Sequence, residues 1–78
     1  MTLAEAIRSR LLQLMKEKDF SAYDFYVKGG LAKSTVSQIL NGTRGEKMAV
    51  KTLYEMISTM SVSLKDFFDD GIFDGVTD

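Results

Sequence analysis

Four side chains in one short stretch carry the most informative chemistry of this 78-residue chain: Lys33, Ser34, Ser37 and Gln38. They are long or small hydrogen-bonding groups, with one positive charge and no negative one. Their neighbours Val36, Ile39 and Leu40 are the only large apolar residues between Ala32 and Gly42, at spacings of one, three and four. Such spacing defines a narrow apolar face of a helix. A helix docked by that edge leaves the lysine, serines and glutamine exposed. Amide, hydroxyl and ammonium groups of this reach suit the donors and acceptors on base edges in a DNA major groove.

The elements around this stretch fit that arrangement. Gly29-Gly30 precede it and Asn41-Gly42 close it, and both glycine and asparagine tolerate the left-handed conformation that follows a helix end. Before it, Ser21 is a good N-cap and Asp24 stands where a capping box needs an acceptor. Phe20 precedes the cap and is placed to staple onto Phe25. The order is a short helix over 21–28, a turn containing glycine, and a second short helix over about 33–40, which is that of a helix-turn-helix.

Ser21 to Gly42 resembles the lambda-repressor-like, Cro-type helix-turn-helix, also called the XRE family. The run Ser34-Thr35-Val36-Ser37-Gln38-Ile39-Leu40-Asn41-Gly42 is the most specific part of the resemblance. It continues through Val50, Leu53, Met56, Ile57 and Met60, then Ser61-Val62-Ser63-Leu64, where that family has its fourth helix and the start of its fifth. The resemblance implies an all-α, compact five-helix domain over 1–70, followed by an acidic and apolar tail over 71–78. It implies a transcriptional regulator, most simply a repressor, that reads double-stranded DNA with its third helix. Gln38 then bonds adenine, Lys33 guanine, and Ser34 and Ser37 allow close approach, with Thr35 on a phosphate or a base. Asn41, Thr43, Arg44 and Lys47 grip the backbone, and the Tyr23 hydroxyl supplements the amides at the start of the second helix. Arg8 or Arg10 offers a further phosphate contact; otherwise both are solvated charge. Two copies on a partly palindromic site are the usual solution for so small a reader, with Phe68, Ile72 and Phe73 as the expected contact.

Three positions depart from the family pattern. Ala22 stands where a phosphate-clamping glutamine is usual. Tyr26 replaces a small residue at the helix crossing, which requires a wider crossing or an outward ring. Ala32 replaces an N-cap, so Ser34 is the substitute cap and would start the helix later.

Composition bounds the alternatives. There is no histidine and no cysteine, so the commonest general base, the commonest metal ligand and any disulfide are absent. No cofactor or small-molecule ligand is implied. Asp66, Asp69 and Asp70 could do acid-base work in a pocket, but at an exposed helix end they read as a solvated acidic face, and no enzyme is expected. Met48, Met56 and Met60 fall at helical spacing and read as core filling. The net charge of −1 divides unevenly. From Lys65 onward five aspartates meet one lysine, a balance of −4, which leaves +3 on the preceding part. No apolar run approaches the ~20 residues of a membrane span, and the start of the chain lacks the pattern of a signal peptide. A cytoplasmic protein of bacterial or phage type is expected.

Leu3, Ile7, Leu11, Leu14 and Met15 mark the core face of a first helix over 3–18, with Thr2 and Glu5 as its capping box. Val50, Leu53, Ile57 and Met60 are the expected stripe of a fourth helix over 48–60, widened by Met56. Ser63 with Asp66 is a third capping box, opening a fifth helix whose buried face is Leu64, Phe67 and Phe68. Ile72, Phe73 and Val76 are too apolar for an ordinary loose tail, and either fold back or meet a second subunit. A protein-interaction module of the same fold, of antitoxin or anti-repressor kind, is the alternative function.

Overall fold

The computed structural model describes residues 1–42 and 48–77. The described residues form α1 (Leu3–Glu17), α2 (Ala22–Gly29), α3 (Lys33–Asn41), α4 (Val50–Thr59), α5 (Leu64–Phe68) and a 3-10 helix, Gly71–Gly75. They contain no strand. The Cα radius of gyration is 11.7 Å, close to the ~11.5 Å expected of a compact chain of this length.

Side-chain caps set most helix starts. At α1, Thr2 Oγ1 accepts from the Glu5 amide at 3.1 Å, and Glu5 Oε1 accepts from the Thr2 amide at 2.8 Å. The same reciprocal box opens α2, where Ser21 Oγ accepts from the Asp24 amide and Asp24 Oδ2 accepts from the Ser21 amide at 2.8 Å. Phe20 and Phe25 complete the staple, edge to face at 4.8 Å between ring centres. At α5 half of the expected box is present: Ser63 Oγ accepts from the Asp66 amide. The α2 end is an αL cap, with the Gly30 amide donating to Tyr26 O and the Leu31 amide reaching back to Phe25 O. Gly30 is left-handed, at φ 64°. Gly29 is not: its requirement is space, because a Cβ there would stand 2.6 Å from Thr59 Oγ1 of α4.

One core joins the helices. It contains Ile7, Leu11 and Leu14 of α1, Phe25 of α2, Val36 and Ile39 of α3, Leu53, Met56 and Ile57 of α4, Met60, Val62, and Phe67 of α5. Four residues expected in it are outside, three of them at helix starts. Leu3 is 46% exposed, Val50 76% and Leu64 43%. Each is the first residue of its helix. The Cα–Cβ bond of a helix tilts towards the N-terminus, so a side chain at the first position projects past the end of the helix instead of over the core. The core contact of α1 begins with Ala6 and Ile7, and Met48, ahead of α4, packs against the core while Val50 does not. Phe68 is also largely exposed, its ring edge-on to Phe67 at 5.0 Å.

The C-terminal segment folds back. The 3-10 helix packs on α1, and the Phe73 ring lies 4.9 Å from that of Phe68 and 5.8 Å from that of Phe67. The Met1 amine donates to Gly75 O, and the Thr77 amide donates to Met1 O, both at 3.1 Å. Ile72, Phe73 and Val76 are half-buried in their own chain. Arg10 secures the junction. Its Nε donates to Phe67 O and its Nη2 to Asp66 O, each at 2.9 Å, and its Nη1 pairs with the Asp70 carboxylate at 3.3 Å. Arg10 is therefore not solvated charge: its guanidinium is engaged within the chain. Among the described residues no helix is long and apolar enough to cross a membrane.

Candidate nucleic-acid interface

α3 starts at Lys33, with Ala32 in the N-cap position at φ −66°, ψ 132° and no side-chain cap bond. Ser34 is inside the helix and does not cap it, which corrects the expected later start. Steps of about 100° per residue fix the consequence. Lys33, Ser37, Asn41, Ser34 and Gln38 fall, in that order, within an arc of about 140°. All five are exposed. Thr35, Ile39, Val36 and Leu40 occupy the opposite arc. Val36 is 0% and Ile39 1% exposed, while Thr35 and Leu40 are half-buried.

The fold thus brings five of the ten expected contact residues onto one outward face. Within it Asn41 Nδ2 donates to Ser37 Oγ at 3.2 Å, holding two polar groups of the face together. Thr35 flanks the face at its half-buried edge. Tyr23 stands on α2, 68% exposed and edge-on to Tyr26 at 6.4 Å between ring centres. The Tyr26 ring is half-buried against the core. Ala22, where the family pattern has its clamp, is also half-buried. Thr43, Arg44 and Lys47 lie outside the described residues.

The electrostatics of the face are simple. Lys33 is the one charged side chain of α3, and the helix has no acidic residue in its first turn. At the start of α2 the Asp24 carboxyl is held below its ordinary value, first by the Ser21 amide and then by the Ser21 hydroxyl and Lys28. Its charge is thereby committed to the cap. The acidic cluster of the sequence is likewise committed in part. Asp70 accepts from the Ile72 amide at 2.9 Å besides pairing with Arg10.

Sequence reasoning missed the arginine that supports this face. Arg8 Nε donates to Leu40 O at 2.7 Å, across 32 residues of chain. Arg8 is half-buried and not simply solvated charge, and nothing in the amphipathic pattern of α1 distinguished it from Lys16 or Lys18. The chain matches no protein-family model, no curated protein and no solved structure.

Proposed function

We propose that the protein is a sequence-specific double-stranded DNA-binding regulator, a repressor of lambda-repressor-like type, that reads the major groove with α3. The observation that carries this reading is the division of α3. One arc is held to the core by the buried Val36 and Ile39, and an uncut polar arc of amide, hydroxyl and ammonium groups faces outward with no carboxylate on it. In this reading α2, the three-residue turn and α3 form the helix-turn-helix. Gln38 bonds adenine N6 and N7, and Lys33 donates to guanine O6 or N7. Ser34 and Ser37 admit close approach. Asn41, Thr35 and Tyr23 hold the backbone, as do Thr43, Arg44 and Lys47 in the segment that follows. No catalytic residue is assigned.

A homodimer is part of the proposal, since one helix covers only a few base pairs. With Ile72 and Phe73 turned into their own chain, the exposed Leu64 and Phe68 of α5 are the apolar groups left for the contact. A gel shift on random duplex at low salt is the first test, because a specific binder retains electrostatic affinity for any duplex. Selection from a random pool then yields the operator, and sedimentation on it yields the stoichiometry. No shift at low salt sinks the DNA reading; one chain per selected site sinks the dimer.

A second reading, a module that binds another protein, draws on the exposed apolar side chains Tyr23 and Val27 of α2 and Val50 and Tyr54 of α4. It predicts no duplex shift at all.

A further inference from the structure

α3 is weakly secured by its own residues. It has no side-chain N-cap and no basic residue in its last turn. The last four carbonyls of any helix lack an intrahelical donor. Here the Gly42 amide, at φ 75°, turns back to Gln38 O and Ile39 O. The Leu40 carbonyl is met from outside, by Arg8 Nε of α1 at 2.7 Å. The Arg8 stem also covers the turn: a Cβ on Gly42 would lie 3.5 Å from Arg8 Cδ and 3.6 Å from Nε. One half-buried side chain therefore bonds the end of α3 and roofs the glycine that stops it. A cation there also complements the negative end of the helix.

Resting on the reading of α3 as the groove-facing helix, we propose that Arg8 is a positioning residue for DNA specificity. Through Leu40 O it fixes the pose of the C-terminal half of α3, and so the place at which Gln38 and Asn41 meet the duplex. The Nε–H of the guanidinium is spent on a carbonyl. Positioning and phosphate contact differ in what they do to binding. A phosphate contact strengthens every sequence alike and adds to the salt dependence, whereas a positioning contact acts on the preference among sequences.

The test compares wild type, Arg8→Lys and Arg8→Met on two duplexes across a salt series: one selected by the wild-type protein from a random pool, and a scramble of it. Arg8→Lys keeps the charge but lacks the planar Nε–H fork. Arg8→Met keeps much of the stem and removes both donor and charge. The expected result is a fall in the selected-to-scrambled affinity ratio, about tenfold for Arg8→Met, the scale of one displaced base contact, and severalfold for Arg8→Lys, with the salt slope unchanged in both. Circular dichroism establishes which variants are folded, and Arg8→Lys decides if Arg8→Met is not. A ratio within twofold of wild type in every folded variant overturns the proposal. So does a slope flattened by about one unit at constant ratio, the mark of a phosphate contact. An equal loss on both duplexes, as from lost stability alone, overturns it too. Wild-type protein that shifts no duplex overturns the reading of α3 itself and takes the Arg8 role with it.

Discussion

Gln38 and Gly29 show how single residues divide between recognition and packing. Gln38 is on the exposed arc of α3, remote from the buried Val36 and Ile39. Gln38→Ala should cost about 1–3 kcal/mol on the selected duplex and relax preference at one base position; an unchanged selection logo rejects the assigned contact. Gly29 is the opposite case, an interior constraint on a polar surface. Its neighbour Thr59 Oγ1 is itself anchored, donating to Glu55 O at 2.7 Å, so an added methyl meets a side chain that does not swing away freely. Gly29→Ala should destabilise by about 1–3 kcal/mol. The double variant Gly29→Ala with Thr59→Ala should recover much of the loss, since it removes the atoms in the way. Denaturant unfolding of the four proteins closes the cycle.

At the level of elements, caps explain which helices hold their own ends. Ala32 already has the extended backbone of an N-cap but no side-chain acceptor. Ala32→Ser should therefore stabilise the domain by about 1 kcal/mol, raising the melting temperature by about 4–8 °C. No change in calorimetry would show that the serine hydroxyl bonds elsewhere. The capping boxes also make stability depend on acid. The Glu5 carboxyl sits below its ordinary 4.5, first through the Thr2 amide and then the Thr2 hydroxyl, and that of Asp24 sits below 3.8 through Ser21. Both anions bind fewer protons folded than unfolded, so their contribution is full above the ordinary values and is lost as pH falls through the lowered ones. Glu5→Gln and Asp24→Asn should each flatten the fall in melting temperature between neutral pH and pH 3. An unaltered profile in both would remove the caps as its cause.

For the molecule as a whole, α1 ties down the ends of α3 and α5 and the C-terminal segment. Arg8 reaches the end of α3, and Arg10 reaches the end of α5 and Asp70. Arg10 lies mostly out of solvent, so its bonds to carbonyls are worth more than a surface ion pair. Arg10→Met should cost about 1.5–3 kcal/mol and free the segment beyond Phe68, speeding amide exchange at Ile72 and Phe73 while α2 and α3 stay protected. Uniform acceleration across all helices would mean that the segment does not open as a separate unit. Losses of this size matter in a domain whose whole stability is about 4–12 kcal/mol on the usual per-residue scale.

Much of the architecture was legible from local pattern. Ser21, Asp24 and Phe20 announced the start of α2, Asn41-Gly42 the end of α3, and the 3.6-residue period chose Ile7, Leu11, Val36, Ile39, Leu53 and Ile57 for the core. These signals act over a turn or two of chain, which is why the bare sequence contains them. Periodicity erred at Leu3, Val50 and Leu64 because it counts positions on a helix and ignores that the first residue points off its end. The roles of Arg8, Arg10, Gly29 and Phe73 were settled only by tertiary structure. For Arg8, Arg10 and Gly29 the partner is a carbonyl or hydroxyl brought from 30 to 57 residues away, and Phe73 depends on its segment packing back on α1. Sequence chemistry supplied the polar arc of α3, and the folded chain decided which distant side chain holds that arc in place.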